Sequence, residues 1–193
     1  MVGIRPVPGP ASCSLILAAL VAACGPGPSA MPRPDLSAIV LDADSAPDGM
    51  RLDGTNDAAS EVATRVVISG RDSLFSELEG LRAGRYSDFS DEDGVLLSLG
   101  LEFEAATTAG HAFDLFLDEL ESDAGYGFDA PTSERIGDEG KCTEGANPAL
   151  GGLHERICLW RRGSVVLIAG GTLTWPDVYR VAHDMDGNVG PNP

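Results

Sequence analysis

Four polar side chains in one stretch of this sequence, His111, Asp114, Asp118 and Glu121, stand three or four residues apart. That spacing brings side chains to one side of a helix. One imidazole and several carboxylates form a donor set for a divalent cation, and the nitrogen favours Mn²⁺ or Zn²⁺ over Ca²⁺. The same spacing also describes the hydrated acidic stripe of any surface helix. No metal is therefore expected, and His111, Asp114 and Asp118 are the candidates a titration would test. Two other acidic stretches, Asp184-Met185-Asp186-Gly187-Asn188 and the turn from Asp88 to Asp93, look like the start of calcium loops. Neither has oxygen donors at alternate positions with glycine sixth and glutamate twelfth, so they read as a helix end and a hairpin loop.

Nucleophilic chemistry has little to build on. No serine sits in a Gly-x-Ser-x-Gly elbow, and the three histidines, His111, His154 and His183, show no His-Glu-x-x-His spacing. Gly170-Gly171 lacks the Gly-Lys-Ser/Thr ending of a phosphate loop and the third glycine of a dinucleotide fingerprint; it reads as a tight strand-to-helix turn. Trp160 and Trp175 suit either packing or the stacking of a ligand, and their places in a strand and at a helix start favour packing. Thirty carboxylates always include some pair at a workable distance, which keeps a carboxylate-dependent envelope hydrolase as the alternative to a binding domain. No catalytic residue is assigned, and no cofactor is expected.

The cysteines are more telling. Arg5 precedes an apolar run from Leu15 to Ala23, too short to span a bilayer, and the run ends in Leu20-Val21-Ala22-Ala23-Cys24. This ending resembles the lipobox of bacterial lipoproteins: an aliphatic residue three before the cysteine, then two small ones. The resemblance implies cleavage before Cys24, a diacylglycerol on its thiol, and a lipid anchor at the extracytoplasmic side of the cell membrane. Of the four cysteines, Cys13 would leave with the signal peptide and Cys24 would carry lipid, so Cys142 and Cys158 should pair in an oxidising compartment. Closing that loop stabilises by roughly 3 kcal/mol in the chain-entropy model. The rival use, a two-cysteine zinc site with His154 inside the loop, does not suit such a compartment.

Charge narrows the partners. The chain carries 13 basic and 30 acidic side chains, for a formal −17; removing residues 1–23 takes away Arg5 and no acid. Such a surface repels phosphate, so nucleic acid is not expected as a partner. The expected partners are the lipid bilayer, through acylated Cys24, and an envelope protein or a small ligand.

The elements that would position these residues follow from periodicity. Ser37 to Leu41 reads as a strand, Pro47-Asp48-Gly49 as a turn and Met50 to Asp53 as a second strand. Glu61 to Ser69 is ambiguous between helix and strand. Leu74, Phe75, Leu78 and Leu81 predict a helix from Asp72, ended by Gly84. Arg85 to Phe89 and Val95 to Phe103 form a hairpin around Ser90 to Gly94. Ala109, Ala112, Phe113, Phe116, Leu117 and Leu120 mark a helix over Thr108 to Glu121. A short strand near Arg135 and Ile136 precedes a loop from Gly137 to Leu153. Ile157 to Arg161 and Val165 to Ala169 make the clearest hairpin, and Thr174-Trp175-Pro176-Asp177 opens a last helix as a capping-box variant.

The fold class is thus α+β: an antiparallel sheet with helices packed mainly on one face. It is preceded by a cleaved signal peptide (1–23) and by the lipidated cysteine with a Pro/Gly-rich tether (24–35). One globular domain (36–188) and a flexible tail (189–193) follow. Each of two units, ending near Glu121 and Asp186, is a strand pair followed by a helix, which suggests a duplicated half-domain. Trp160-Arg161-Arg162-Gly163, the aliphatic strand after it and the capped terminal helix resemble small extracytoplasmic lipoproteins of high-GC Gram-positive bacteria. The function expected is a non-enzymatic binding or interaction domain held at the cell envelope.

Overall fold

The computed structural model describes residues 33–59, 61, 78–122, 127, 129–147 and 151–190. The described residues from Pro34 onward belong to one compact unit. The expected signal peptide, Cys24 and the expected tether up to residue 32 lie outside the described residues, as do most of Glu61 to Ser69 and of the helix expected from Asp72. No helix among the described residues is long and apolar enough to cross a membrane.

The chain enters through a single helical turn, α1 (Leu36–Ile39), where a strand was expected. Asp35 decides this locally: its Oδ1 accepts from the Ser37 backbone N–H at 3.0 Å, an N-cap that holds its carboxyl below the usual range, mainly through the Ser37 side chain. Leu36 and Ile39 then bury on one side of the turn, and Val40 and Leu41 follow them into the core. The turn at Pro47 to Met50, with Gly49 at φ 87°, forms as expected. It leads into β1 (Arg51–Asn56).

Strands β2 (Leu81–Ser90) and β3 (Val95–Phe103) form the first expected hairpin. Asp91 closes its loop by accepting from the N–H groups of Asp93 and Gly94 at 2.8 and 2.7 Å. Gly80, at φ 72°, turns the chain immediately before β2, so Gly84 lies inside a strand and does not end a helix. Helix α2 (Ala106–Ser122) follows, then β4 (Thr132–Ser133), β5 (Glu139–Asn147), β6 (Leu153–Arg162), β7 (Val165–Gly171) and α3 (Trp175–Asn188). The strand expected at Arg135 and Ile136 is displaced to β4, and most of the expected loop from Gly137 is β5. Gly163, at φ 56°, is the first residue of the two-residue turn between β6 and β7, which is what a type II′ hairpin turn demands.

The seven strands of the described residues lie in one antiparallel sheet, ordered β1-β2-β3-β7-β6-β5-β4. Alternate residues of β7 enter different cores. Val165, Leu167 and Ala169 join Val178, Val181, Ala182 and Met185 of α3 and the residues of α1. Val166 and Ile168 join Ala109, Ala112, Phe113, Phe116 and Leu120 of α2. The α+β class and the antiparallel sheet stand. The helices, expected mainly on one face, divide: α1 and α3 cover one face and α2 the other.

That division also removes the duplicated half-domain. Laying hairpin β2-β3 on hairpin β6-β7 by rotation keeps each face of the sheet on the same side. The helix after β3 lies on one face and the helix after β7 on the other. No rotation superposes both hairpin and helix.

Candidate functional site

The residues singled out for metal binding do not converge. His111, Asp114, Asp118 and Glu121 all lie exposed along α2, and among the described residues no three His, Cys, Asp or Glu side chains gather to hold an ion. Asp186 is buried, and its carboxylate is held at both oxygens by Arg162. Asp91 is engaged in its own turn. Gly170 and Gly171 end β7 inside the sheet, and Trp160 is fully buried in the α3-side core. Cys142 and Cys158 form the expected disulfide, joining residues directly opposite each other on β5 and β6. The capping box is half-formed: the Thr174 hydroxyl donates to Asp177 Oδ2 at 2.6 Å and caps no backbone N–H. That hydrogen bond, with Arg180 beside it, holds the Asp177 carboxyl low.

The side chains that do converge lie where the start of α3 meets the end of the β5-β6 ladder at which the chain passes from β5 into β6. The Trp175 and Tyr179 rings stack, with centroids 4.9 Å apart and 16° between planes. The Arg156 guanidinium stands 5.9 Å from the centre of the Trp175 ring. Its Nη1 donates to the Leu173 carbonyl at 2.8 Å, and its Nε lies 3.1 Å from Glu144 Oε2. The same carboxylate oxygen is 3.7 Å from His154 Nδ1. Burial pushes the Tyr179 hydroxyl up, and a hydrogen bond with Glu134 and the charges of Glu134 and Glu144 push it the same way. Trp175, Tyr179 and Arg156 are half-buried, and His154 is exposed.

This arrangement is a surface cluster more than a cleft. Trp175 is already engaged by Tyr179 and Arg156, which makes it an anchor between α3 and the sheet that shows part of its area to solvent. Glu144 and Arg156 escaped the sequence reading because β5 did. One signal was available: if Cys142 is paired with Cys158 across antiparallel strands, Glu144 must stand opposite Arg156, as it does.

No family model matches the chain, and no curated protein matches its sequence. Solved structures do. The chain is similar in fold to the extracellular domain of PknH from Mycobacterium tuberculosis. The TM-score is 0.60 at 11% identity, over 79% of this chain and 93% of the PknH domain. At that identity the likeness shows the fold alone, and that fold is of the α+β class expected from the sequence.

On the α2 side of the same ladder, Glu155 accepts a hydrogen bond from the Asn147 amide, and Thr143 donates to the Asp129 carbonyl. Burial holds the Glu155 carboxyl above its ordinary value, with Asn147 pulling partly the other way. Among the described residues its hydrogen-bond partner is an amide. A carboxyl whose folded pKa is raised favours the fold below the unfolded pKa and loses that contribution as the pH rises through the folded one. Glu155→Gln keeps the acceptor and removes the charge. It should stabilise the protein at pH 7, by on the order of 1 kcal/mol or less, and the gain should vanish near pH 4. Urea unfolding at the two pH values measures it; an equal gain at both would put the effect elsewhere.

Proposed function

We propose that the protein is a membrane-anchored extracytoplasmic lipoprotein whose single α+β domain binds another protein of the cell envelope through the surface around Trp175, Tyr179 and Arg156. The observation that carries this reading is the composition of that surface. Trp, Tyr and Arg are the residue types in which binding energy concentrates at protein interfaces. Here they are prearranged by stacking and hydrogen bonds, so little side-chain entropy remains to be lost on association.

The lipobox residues support the anchor: a lipid on Cys24, followed by the Pro/Gly-rich stretch to Pro34, would hold the domain about 30 Å from the bilayer if extended at ~3 Å per residue. The buried disulfide suits an oxidising compartment.

Two measurements test the reading. Metabolic labelling with an alkyne fatty acid should mark the wild-type chain and not Cys24→Ala; an unlabelled wild type removes the anchor. A photo-crosslinking amino acid in place of His154 should give a discrete protein adduct in intact cells, whereas the same residue in place of His111, exposed on the opposite side of the sheet, should give none. Equal adducts at both positions, or none at His154, would remove the proposed surface.

A further inference from the structure

Strand β5 is poorly equipped to stay on this sheet. Of its nine residues, Glu139 to Asn147, only Cys142 joins a hydrophobic core. The remaining positions are glycine, lysine, threonine, glutamate, asparagine and an exposed alanine. By contrast β3 and β7 each send apolar side chains into both cores. Outside β5, among the described residues, lie β4, with two paired residues, and single backbone hydrogen bonds from Asp129 to the Glu144 carbonyl and from Glu134 to the Gly140 carbonyl, while both long helices pack over β6 and β7. Ile136, in the connection before β5, is the other apolar contact holding this edge. What remains is polar and partly wet: Glu144 with Arg156, Glu139 with Arg161 at 3.1 Å and Asn147 with Glu155. Local opening begins where apolar burial is thin and backbone hydrogen bonds lie near solvent.

We propose that the Cys142–Cys158 disulfide is a latch for this edge: with the bond intact β4 and β5 stay on the sheet, and with it reduced they detach while β1, β2, β3, β7, β6 and the helices remain folded. Both sulfurs belong to residues at most 1% exposed, so the closed latch shields its own bond, and reduction must follow a fluctuation that lifts β5. A dithiol, from a reductant of the thioredoxin-like class, then attacks one cysteine sulfur. The S–S bond breaks as a mixed disulfide forms, and the other cysteine leaves as a thiolate that takes up a proton. The second thiol of the reductant closes its own disulfide and releases the remaining cysteine. Two electrons pass to the pair, and two thiols stand where one bond stood. Release strips Glu144 from Arg156 and His154 and bares the backbone edge of β6. The inference stands on β5 alone and does not depend on the proposed binding surface.

Hydrogen exchange read by mass spectrometry, on the full chain before and after phosphine reduction, tests it. Amides of Glu139 to Asn147 should exchange at least tenfold faster after reduction, while those of Val95 to Phe103 and Val165 to Gly171 change less than twofold. Reoxidation should restore protection. Parallel acceleration of all three segments would make the bond a staple of the whole fold, and unchanged β5 protection would show that the edge needs no latch; either overturns the proposal. A Cys142→Ala/Cys158→Ala chain should reproduce the reduced pattern, and if it fails to fold, the phosphine-treated wild type still decides.

Discussion

Replacing Gly171 by alanine should cost the fold about 3 kcal/mol or more, the upper end for forcing atoms into a packed interior. A Cβ at this position would lie 2.0 Å from the Val95 carbonyl oxygen and 3.0 Å from the Leu96 Cα. Both obstacles are backbone, so no side-chain rotation relieves them. Gly171 pairs with Leu96 of β3 on one side and Arg156 of β6 on the other, and Thr172 N–H donates to that same Val95 oxygen at 3.0 Å. Relief therefore means parting β3 from β7 at the middle of the sheet. The expected fall in melting temperature is on the order of 10 °C for a domain of this size. Crosslinking from His154 should weaken as well, because Gly171 sets the place of Leu173, Thr174 and the start of α3. Gly110→Ala is the internal contrast. There the new Cβ meets nothing closer than Arg161 Nε at 3.9 Å, and alanine in a helix interior gains about 0.5 to 1 kcal/mol over glycine. The two substitutions should differ in sign, and melting curves of both read it directly. A mild effect at Gly171 would mean that the backbone approach can widen without loss.

Gly170-Gly171 illustrates what the sequence could and could not convey. The absence of a phosphate-loop ending was enough to set that function aside, yet the reason for the second glycine, a carbonyl of a strand distant in sequence, is tertiary. Helices α2 and α3 were legible because amphipathic stripes are local: Ala109 to Leu120 and Val178 to Met185 bury as their spacing requires. Hairpins β2-β3 and β6-β7 were legible because in each a short polar or glycine-containing turn separates two apolar-rich runs. The two-sided burial of the sheet was present but unread. Val165 to Ala169 is apolar without alternation, which is how a strand covered on both faces is written. Strand β5 left no apolar trace, because the disulfide and its pairing with β6 supply what periodicity would otherwise have to. The cluster of Glu144, Arg156 and Trp175 was hidden with it, since a register cannot be drawn to a strand that has not been recognised. In α1 the capping aspartate competed with a β-favouring Ile39-Val40-Leu41 and won.

The other large effect expected is at Arg162, part of the Trp160 to Gly163 motif. Its Nε donates to Asp186 Oδ1 at 2.7 Å and its Nη2 to Asp186 Oδ2. This two-pronged bond ties the last residue of β6 to the last turn of α3. The side chains are 26% and 11% exposed, and the hydrogen bond and charge of Asp186 hold the guanidinium above its already high pKa, so Arg162 stays charged. A carboxylate in the last turn of a helix faces the negative end of the dipole, and Arg162 is what makes Asp186 tolerable there. Arg162→Ala should therefore cost about 2 to 4 kcal/mol, towards the lower part of the range for breaking a buried pair because the arginine is partly wet. The cost lies mainly in the stranded carboxylate. It follows that Arg162→Met combined with Asp186→Leu, which removes both charges and roughly keeps the volume, should recover most of the loss, whereas additive single losses would show that the two side chains contribute separately. Urea unfolding of the four chains closes that cycle. A near-wild-type double variant would assign Asp186 to holding α3 on the hairpin, and the acidic stretch from Asp184 to Asn188, which looked like the start of a calcium loop, would be accounted for by packing alone.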